Sequence, residues 1–299
     1  MSDVIYCEGL KKTYKNVEAL KDLSLSIGEN KMIGLIGRNG AGKTTFLKTC
    51  AGYIRPTSGE ISVLGGKPFD NLDVLSNIIF IDEEIQYNTS MRLGEIFRLG
   101  AIYYKNWDDA FAKKLLRYFS LDVKQKYKKL SRGMKTQFNM IVGLSSRAPL
   151  TLMDEPTLGL DVAVRKEFYQ IILKDYMENP RTFILSSHLM SELENMLEEM
   201  ILIHEGKVVF QKSIEELQSY AVLLNGKQEV LKPFLENKKV LNTETFGNSI
   251  IAGIVNDLSE KDTLFLENNN VDISKVKIED IYIWLTKNGK GGGFDEFEG

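Results

Sequence analysis

The chain predicts an α/β fold with a mainly parallel sheet, and three observations carry that prediction. Over roughly the first 220 residues, short β-branched runs alternate with longer amphipathic stretches, the order expected of strands joined by helices. A glycine-rich loop at residues 37–44 follows an apolar run and precedes a helical stretch. After Leu217, Lys, Asn and Glu become frequent, which marks a second, smaller α+β unit. A length of 299 residues agrees with about two domains of ~150 residues each.

Taken in order, strands are predicted at 4–9, 23–27, 32–36, 61–64 and 78–82, then at 150–154, 182–186, 200–204 and 207–211. The first helix is placed at 44–51, directly after the glycine-rich loop. Between 91 and 148 no strand pattern appears. Leu93, Ile96, Phe97 and Gly100, then Ala110, Phe111, Leu115, Tyr118 and Phe119, recur at helical spacing and predict a helical insertion. The first domain is set at 1–219 and the accessory domain at 220–288. Within the latter, strands are expected at 221–224, 239–241 and 249–255, with helices at 227–237 and 278–287. Residues 289–299, glycine-rich and then acidic, form a tail that either frays or serves as a docking peptide.

Composition excludes several classes. Lys plus Arg number 38 against 41 Asp plus Glu, so the basic footprint of a nucleic-acid binder is missing. With 43% hydrophobic and 26% charged residues the chain is neither disordered nor collagenous. Its two cysteines, Cys7 and Cys50, suit a reduced compartment better than a disulfide scaffold. The longest apolar runs are six residues, far short of the ~18 that a spanning helix needs. The N-terminus shows no signal-peptide pattern, so a cytoplasmic protein is expected.

Gly37-Arg38-Asn39-Gly40-Ala41-Gly42-Lys43-Thr44 satisfies the phosphate-binding pattern G-x-x-x-x-G-K-[ST]. Glycines let backbone amides wrap phosphate oxygens, and the following helix turns its positive end toward the anion. Lys43 would reach the β- and γ-phosphates, and the Thr44 hydroxyl would bind Mg²⁺, with Thr45 completing the nucleotide contacts. Such a loop still requires a carboxylate for the metal and a base for water. Asp154 and Glu155, ending the apolar run at 150–154, supply them in that order.

Together with these two elements, further ordered motifs resemble the ATP-binding subunits of ABC transporters over about residues 4–217. Leu130-Ser131-Arg132-Gly133-Met134 is similar to the family's signature sequence, and Leu158-Gly159-Leu160-Asp161 to its D-loop. Ser187-His188 stands where the family has its switch histidine, and Tyr14 where an aromatic ring stacks on adenine. The resemblance implies ATP and Mg²⁺ as ligands and two nucleotide-binding domains, identical or different, closing head to tail around two ATP molecules. Ser131 and Gly133 of one domain would then meet the γ-phosphate held by the other. His188 would help hold the attacking water, and Asp161 would lie at the same interface. The implied partner is an integral membrane subunit, which places the chain at the inner face of the cell membrane; no nucleic acid is expected.

Two departures from the family pattern stand out. Glu83 occupies the position of the usual Q-loop glutamine, with Gln86 three residues on, and as a carboxylate it is a candidate metal ligand and catalytic group. Arg132 and Met134 replace the usual Gly and Gln; Arg132 either adds a cation near the nucleotide across the dimer or points to solvent. A Ser-Arg-Gly-Met signature resembles a branch of bacterial exporters for peptides, toxins and drugs that includes the phenol-soluble modulin exporters and their GntR-regulated relatives. Phe97, Tyr103, Tyr104 and Trp107 either line the groove that receives the membrane subunit or pack inside the insertion. The competing functions are a soluble ABC-type ATPase and a regulatory module that holds nucleotide without turnover.

Overall fold

The computed structural model describes residues 3–85, 87–88, 90–187 and 190–286. These residues form two compact units that divide at Gln211–Lys212, ahead of the expected boundary near Ser219. Each unit is described by itself.

In the first unit, β1 (Asp3–Tyr14), β2 (Val17–Gly28) and β4 (Ser58–Val63) form an antiparallel sheet of order β2-β1-β4. Both hairpin strands extend well beyond the expected 4–9 and 23–27. Their outer residues, such as Lys11 to Tyr14, alternate too weakly in polarity to be read as strand, yet they complete the ladder. The second sheet has the order β5-β6-β7-β3-β8-β9. Its members are β3 (Met32–Ile36), β5 (Ile78–Ile81), β6 (Leu150–Asp154), β7 (Thr182–Ser186), β8 (Glu199–His204) and β9 (Lys207–Ser213). The pairs from β5 through β8 are parallel. Strands β3, β5, β6 and β7 are buried at every residue, as continuous apolar strands covered on both faces should be.

The helices are α1 (Lys43–Cys50), α2 (Leu72–Leu75), α3 (Leu93–Tyr103), α4 (Asp109–Tyr118), α5 (Arg132–Ser145), α6 (Val162–Glu178) and α7 (Met190–Leu193). Side-chain caps start several of them: Asp108 accepts from Phe111 N, Ser131 from Met134 N and Asp161 from Val164 N. The insertion is formed by α3, α4 and α5. Phe97 stacks on Phe138 with centroids 5.4 Å apart, and Phe119 on Phe168 at 4.3 Å. Below it, buried Asp175 is shared by Arg147 and by Arg181 at 2.8 Å, with Arg147 also reaching Asp108 at 3.0 Å. One carboxylate between two guanidiniums fixes where the insertion rejoins the sheet.

The second unit contains α8 (Ile214–Tyr220), β10 (Ala221–Lys227), α9 (Gln228–Leu235), β11 (Val240–Phe246), β12 (Ser249–Val255), α10 (Glu260–Asn268), β13 (Asp272–Lys275) and α11 (Ile278–Thr286). From β10 to β13 the order βαββαβ, with antiparallel sheet order β11-β12-β10-β13, is a ferredoxin-like arrangement. Leu231 of α9 and Leu266 of α10 join Leu224, Ile250, Ala252 and Ile254 in one core. Ile281, Trp284 and Leu285 of α11 pack with Ala221 and Leu223 in another. Gly253 makes room for the Trp284 indole, since a Cβ there would lie 2.2 Å from the ring. Strand β13 and helix α10 escape the sequence pattern because β13 is exposed throughout and Leu266 is the one buried residue of α10. No described helix is long and apolar enough to cross a membrane. The expected tail at 289–299 lies outside the described residues.

Candidate functional site

Strand β3 delivers the chain into the glycine-rich loop, and α1 leaves it, capped by Gly42 in a left-handed conformation with φ 110°. A side chain at Gly42 would meet the Ala19 carbonyl oxygen at 2.6 Å, and one at Gly37 the Ile203 carbonyl oxygen at 2.3 Å. The loop is therefore pressed against neighbouring backbone, and only glycine fits at either position. Asn39, Gly40 and Ala41 form its turn, where the Ala41 amide donates to Arg38 O at 3.0 Å. Ala41 O accepts from Gly206 N at 2.9 Å, which anchors the loop to the β8–β9 turn. Thr45, in the first turn of α1, accepts from the Thr49 hydroxyl through its carbonyl.

Lys43 folds back over the loop and donates to Gly37 O at 2.6 Å and to Arg38 O at 3.4 Å. Burial pushes its ammonium below the ordinary lysine value, while Glu155 and Asp154 pull it back up. The Thr44 hydroxyl donates to Asp154 Oδ2 at 2.5 Å. The other Asp154 oxygen accepts from the Ser186 hydroxyl, on β7. Asp154 is thus fixed from both sides, and Ser186 is a site residue that the motifs did not single out. Its signal was available in Ser186-Ser187, two small hydroxyl residues closing an apolar strand.

Glu155 follows at φ 48°, a left-handed backbone uncommon for a residue with a side chain. Its amide donates to both the carbonyl and the hydroxyl of Ser186 at 3.2 Å. A cavity of about 240 Å³ opens beside it, with Glu83, Arg132, Asn139 and Leu158 in its walls. Glu83 pairs with Arg132 at 2.9 Å, so Arg132, although exposed to solvent, has an anionic partner. No hydrogen bond or ion pair among the described residues joins Glu83 to Thr44 or Asp154, and no group of three His, Cys, Asp or Glu side chains that could hold a metal occurs among them. The flanking carboxylates Asp82 and Glu84 are held by Lys48 of α1 at 3.6 and 2.7 Å. Burial raises the Asp82 carboxyl, against the pull of Lys48.

Ser131 and Asp161 are occupied as helix caps of α5 and α6. Gly133 lies in the first turn of α5, with the Gly159 carbonyl 3.7 Å from where its Cβ would be. No hydrogen bond among the described residues joins Ser131 or Gly133 to the phosphate loop. Tyr14 is 44% exposed at the end of β1, with the Lys12 ammonium 5.0 Å from its ring centre. His188 lies outside the described residues, as does Gln86.

The aromatic residues of the insertion divide. Phe97 is buried and Trp107 packs edge-on to it at 5.4 Å, so both serve the insertion's interior. Tyr103 and Tyr104 instead line an apolar groove of about 550 Å³ with Tyr53, Phe80, Leu99 and Ile102. Ile102 is 81% exposed there.

Comparison with known proteins agrees with this architecture. The ABC transporter family profile matches residues 20–158. The chain is 30% identical over 227 residues to the ABC transporter ATP-binding protein NatA of Bacillus subtilis, covering 68% of this chain and 85% of NatA. It is 28% identical to the bacitracin transport ATP-binding protein BcrA of Bacillus licheniformis, covering 98% of this chain and all of BcrA. A solved ATP-binding subunit of an ABC transporter superposes with a TM-score of 0.65 at 25% identity, over 72% of this chain and 92% of that one. With the family profile and a relative of this identity and coverage in agreement, the chain belongs to the ATP-binding proteins of ABC transporters, an ATPase family.

Proposed function

We propose that the chain powers export of a peptide, toxin or drug through a separate integral membrane subunit, working as half of a dimer closed around two ATP molecules. The observation that carries this reading is the Lys43, Thr44, Asp154 and Glu155 cluster at the head of α1. Lys43 would trade its carbonyl contacts for the β- and γ-phosphates, and the α1 amides would face the same anion. Thr44 and Asp154 offer the hydroxyl and carboxylate oxygens that Mg²⁺ prefers, and would hold an ion whose positive charge offsets that of the phosphates. Glu155 would take the proton of the attacking water, with His188 steadying that water. Tyr14 would stack on adenine through its open face. Ser131 and Gly133 would present the start of α5 to the γ-phosphate held by a second protomer, identical or different, with Asp161 close by.

The groove bearing Tyr103, Tyr104 and Ile102 is the surface we assign to the membrane subunit, an apolar patch of the kind that marks a protein interface. Export of antimicrobial peptides is favoured because BcrA, aligned along nearly the whole chain, serves bacitracin transport, and because the Ser-Arg-Gly-Met signature resembles the peptide-exporter branch. In this reading the protein works on the inner face of the cell membrane. Glu155→Gln should trap an ATP-bound dimer, visible by light scattering; a monomer at saturating ATP would overturn the dimeric mechanism. Ile102→Asp should abolish copurification with the multi-span protein that the wild type retains, and retention would remove the groove from the interface.

A further inference from the structure

We infer that Glu83 and Arg132 act as a single positioning pair that orients the start of α5 toward the second protomer's nucleotide. The inference rests on the reading of Ser131 and Gly133 given above. Arg132 is the first residue of α5, between those two residues, and it puts a cation at a helix N-terminus that has no acidic residue in its first turn. A cation there opposes the helix dipole. Glu83 supplies the missing anion from a different element, 2.9 Å from the guanidinium.

The contact reaches further than two side chains. Glu83 sits between Asp82 and Glu84, both held by Lys48 of α1, the helix that begins in the phosphate loop. On the other side of Arg132, a Cβ on Gly159 would lie 3.5 Å from Nε, and Thr136 donates to Leu158 O at 3.4 Å. Cations from α1 and α5 therefore grip one acidic tripeptide, while the stem of Arg132 rests on the loop that follows Glu155. Two of the three residues that depart from the family pattern, Glu83 and Arg132, are thus each other's partners. A Gln and a Gly at these positions could form no ion pair, so neither change is interpretable alone. Glu83 and Arg132 are 50% and 70% exposed, which makes the pair weak enough to rearrange during closure and sensitive to salt.

The test is a charge-reversal cycle in the full chain, comparing Glu83→Arg, Arg132→Glu and the reversed pair for ATP turnover and for ATP-induced dimerisation in the Glu155→Gln background. Each single variant should lower kcat more than it raises KM for ATP, and the reversed pair should recover most of the loss. Neutral variants, Glu83→Gln and Arg132→Gln, should be coupled by a factor of about 1.4 to 5, as expected of an exposed ion pair. That coupling should vanish at about 1 M salt, where the Debye length falls to ~3 Å. Additive effects, or a reversed pair no better than either single variant, would overturn the inference. A Glu83 acting alone on metal or water would show itself as an inactive Glu83→Gln beside a normal Arg132→Gln. Failure of the Glu155→Gln chain with Glu83 and Arg132 intact to dimerise with ATP would instead count against the proposed function, and coupling measured in urea unfolding would still report on the pair.

Discussion

Replacing Ser186 by Ala removes one hydroxyl from the floor of the proposed nucleotide site. Ser186 is fully buried, and its hydroxyl donates to Asp154 Oδ1 while accepting from Glu155 N at 3.2 Å. The first is a hydrogen bond to a charged group, worth about 1.5–3 kcal/mol. The second adds little, because the Glu155 amide keeps the Ser186 carbonyl, also at 3.2 Å. A net loss of about 2 kcal/mol follows, and with a urea dependence of about 2 kcal/mol per molar the unfolding midpoint should fall by ~1 M. The two tryptophans make the assay selective, because Trp107 lies in the first unit and Trp284 in the second. In a Trp284→Phe background, Trp107 fluorescence follows the first unit alone. Mg²⁺-dependent ATP affinity should weaken alongside, since Asp154 then loses one of the two hydroxyls, Thr44 and Ser186, that hold its oxygens. A midpoint displaced by less than about 0.2 M would refute the argument, because so small a shift equals the worth of an exposed hydroxyl.

Three other outcomes follow from the geometry. Glu155→Val should unfold at lower urea than Glu155→Asn, by about 1–2 kcal/mol, because a β-branched residue tolerates φ 48° poorly whereas Asn accepts it. Gly253→Ala should cost the second unit about 1–3 kcal/mol by driving a methyl into the Trp284 ring, and Trp284→Ala should suppress that cost when thermal unfolding is followed by circular dichroism. Asp262 is held near 2, below its ordinary 3.8, first by the Ser259 hydroxyl and amide and then by Lys238. Its folded value lies below its unfolded one, so its stabilisation is complete above about pH 4 and is lost as the pH falls through 2. Asp262→Asn should flatten the acid limb of urea midpoints measured between pH 6 and 2.

The parts of the fold that were legible in the sequence are those whose signal is local. Strands β3, β6 and β7 coincide with their expected limits because each is an unbroken run buried at every residue, bounded by charged, polar, Gly or Pro residues. The ladder ends of β1 and β2 were not legible, because half-exposed residues such as Lys12 and Thr13 owe their conformation to a partner strand and not to their own pattern. Within the candidate site the same division holds. The phosphate loop and the Asp154-Glu155 pair are contiguous motifs, and backbone geometry makes them act as units. The pairing of Glu83 with Arg132 spans 49 positions and that of Asp154 with Ser186 spans 32. Such contacts are chosen by topology, so neither the Arg132 partner of Glu83 nor the Asp154 partner of Ser186 can be read from the local sequence.

The place of β3 in its sheet bears on when the protein can first bind nucleotide during synthesis. Both neighbours of β3, β7 and β8, come late in the chain, and Met32 finds its register only with Phe183 and Ile33 only with Ile184 and Glu199. A nascent chain carries the phosphate loop long before there is a strand on either side to hold it. Parallel pairing over such separations closes slowly, because a long loop must be ordered before any contact rewards it. ATP can stabilise only what has already formed. Nucleotide therefore arrives too late to template this domain, and chains that stop short of Thr182 should gain nothing from its presence, leaving the unpaired β3 and β6 exposed to aggregation until β7 slots between them.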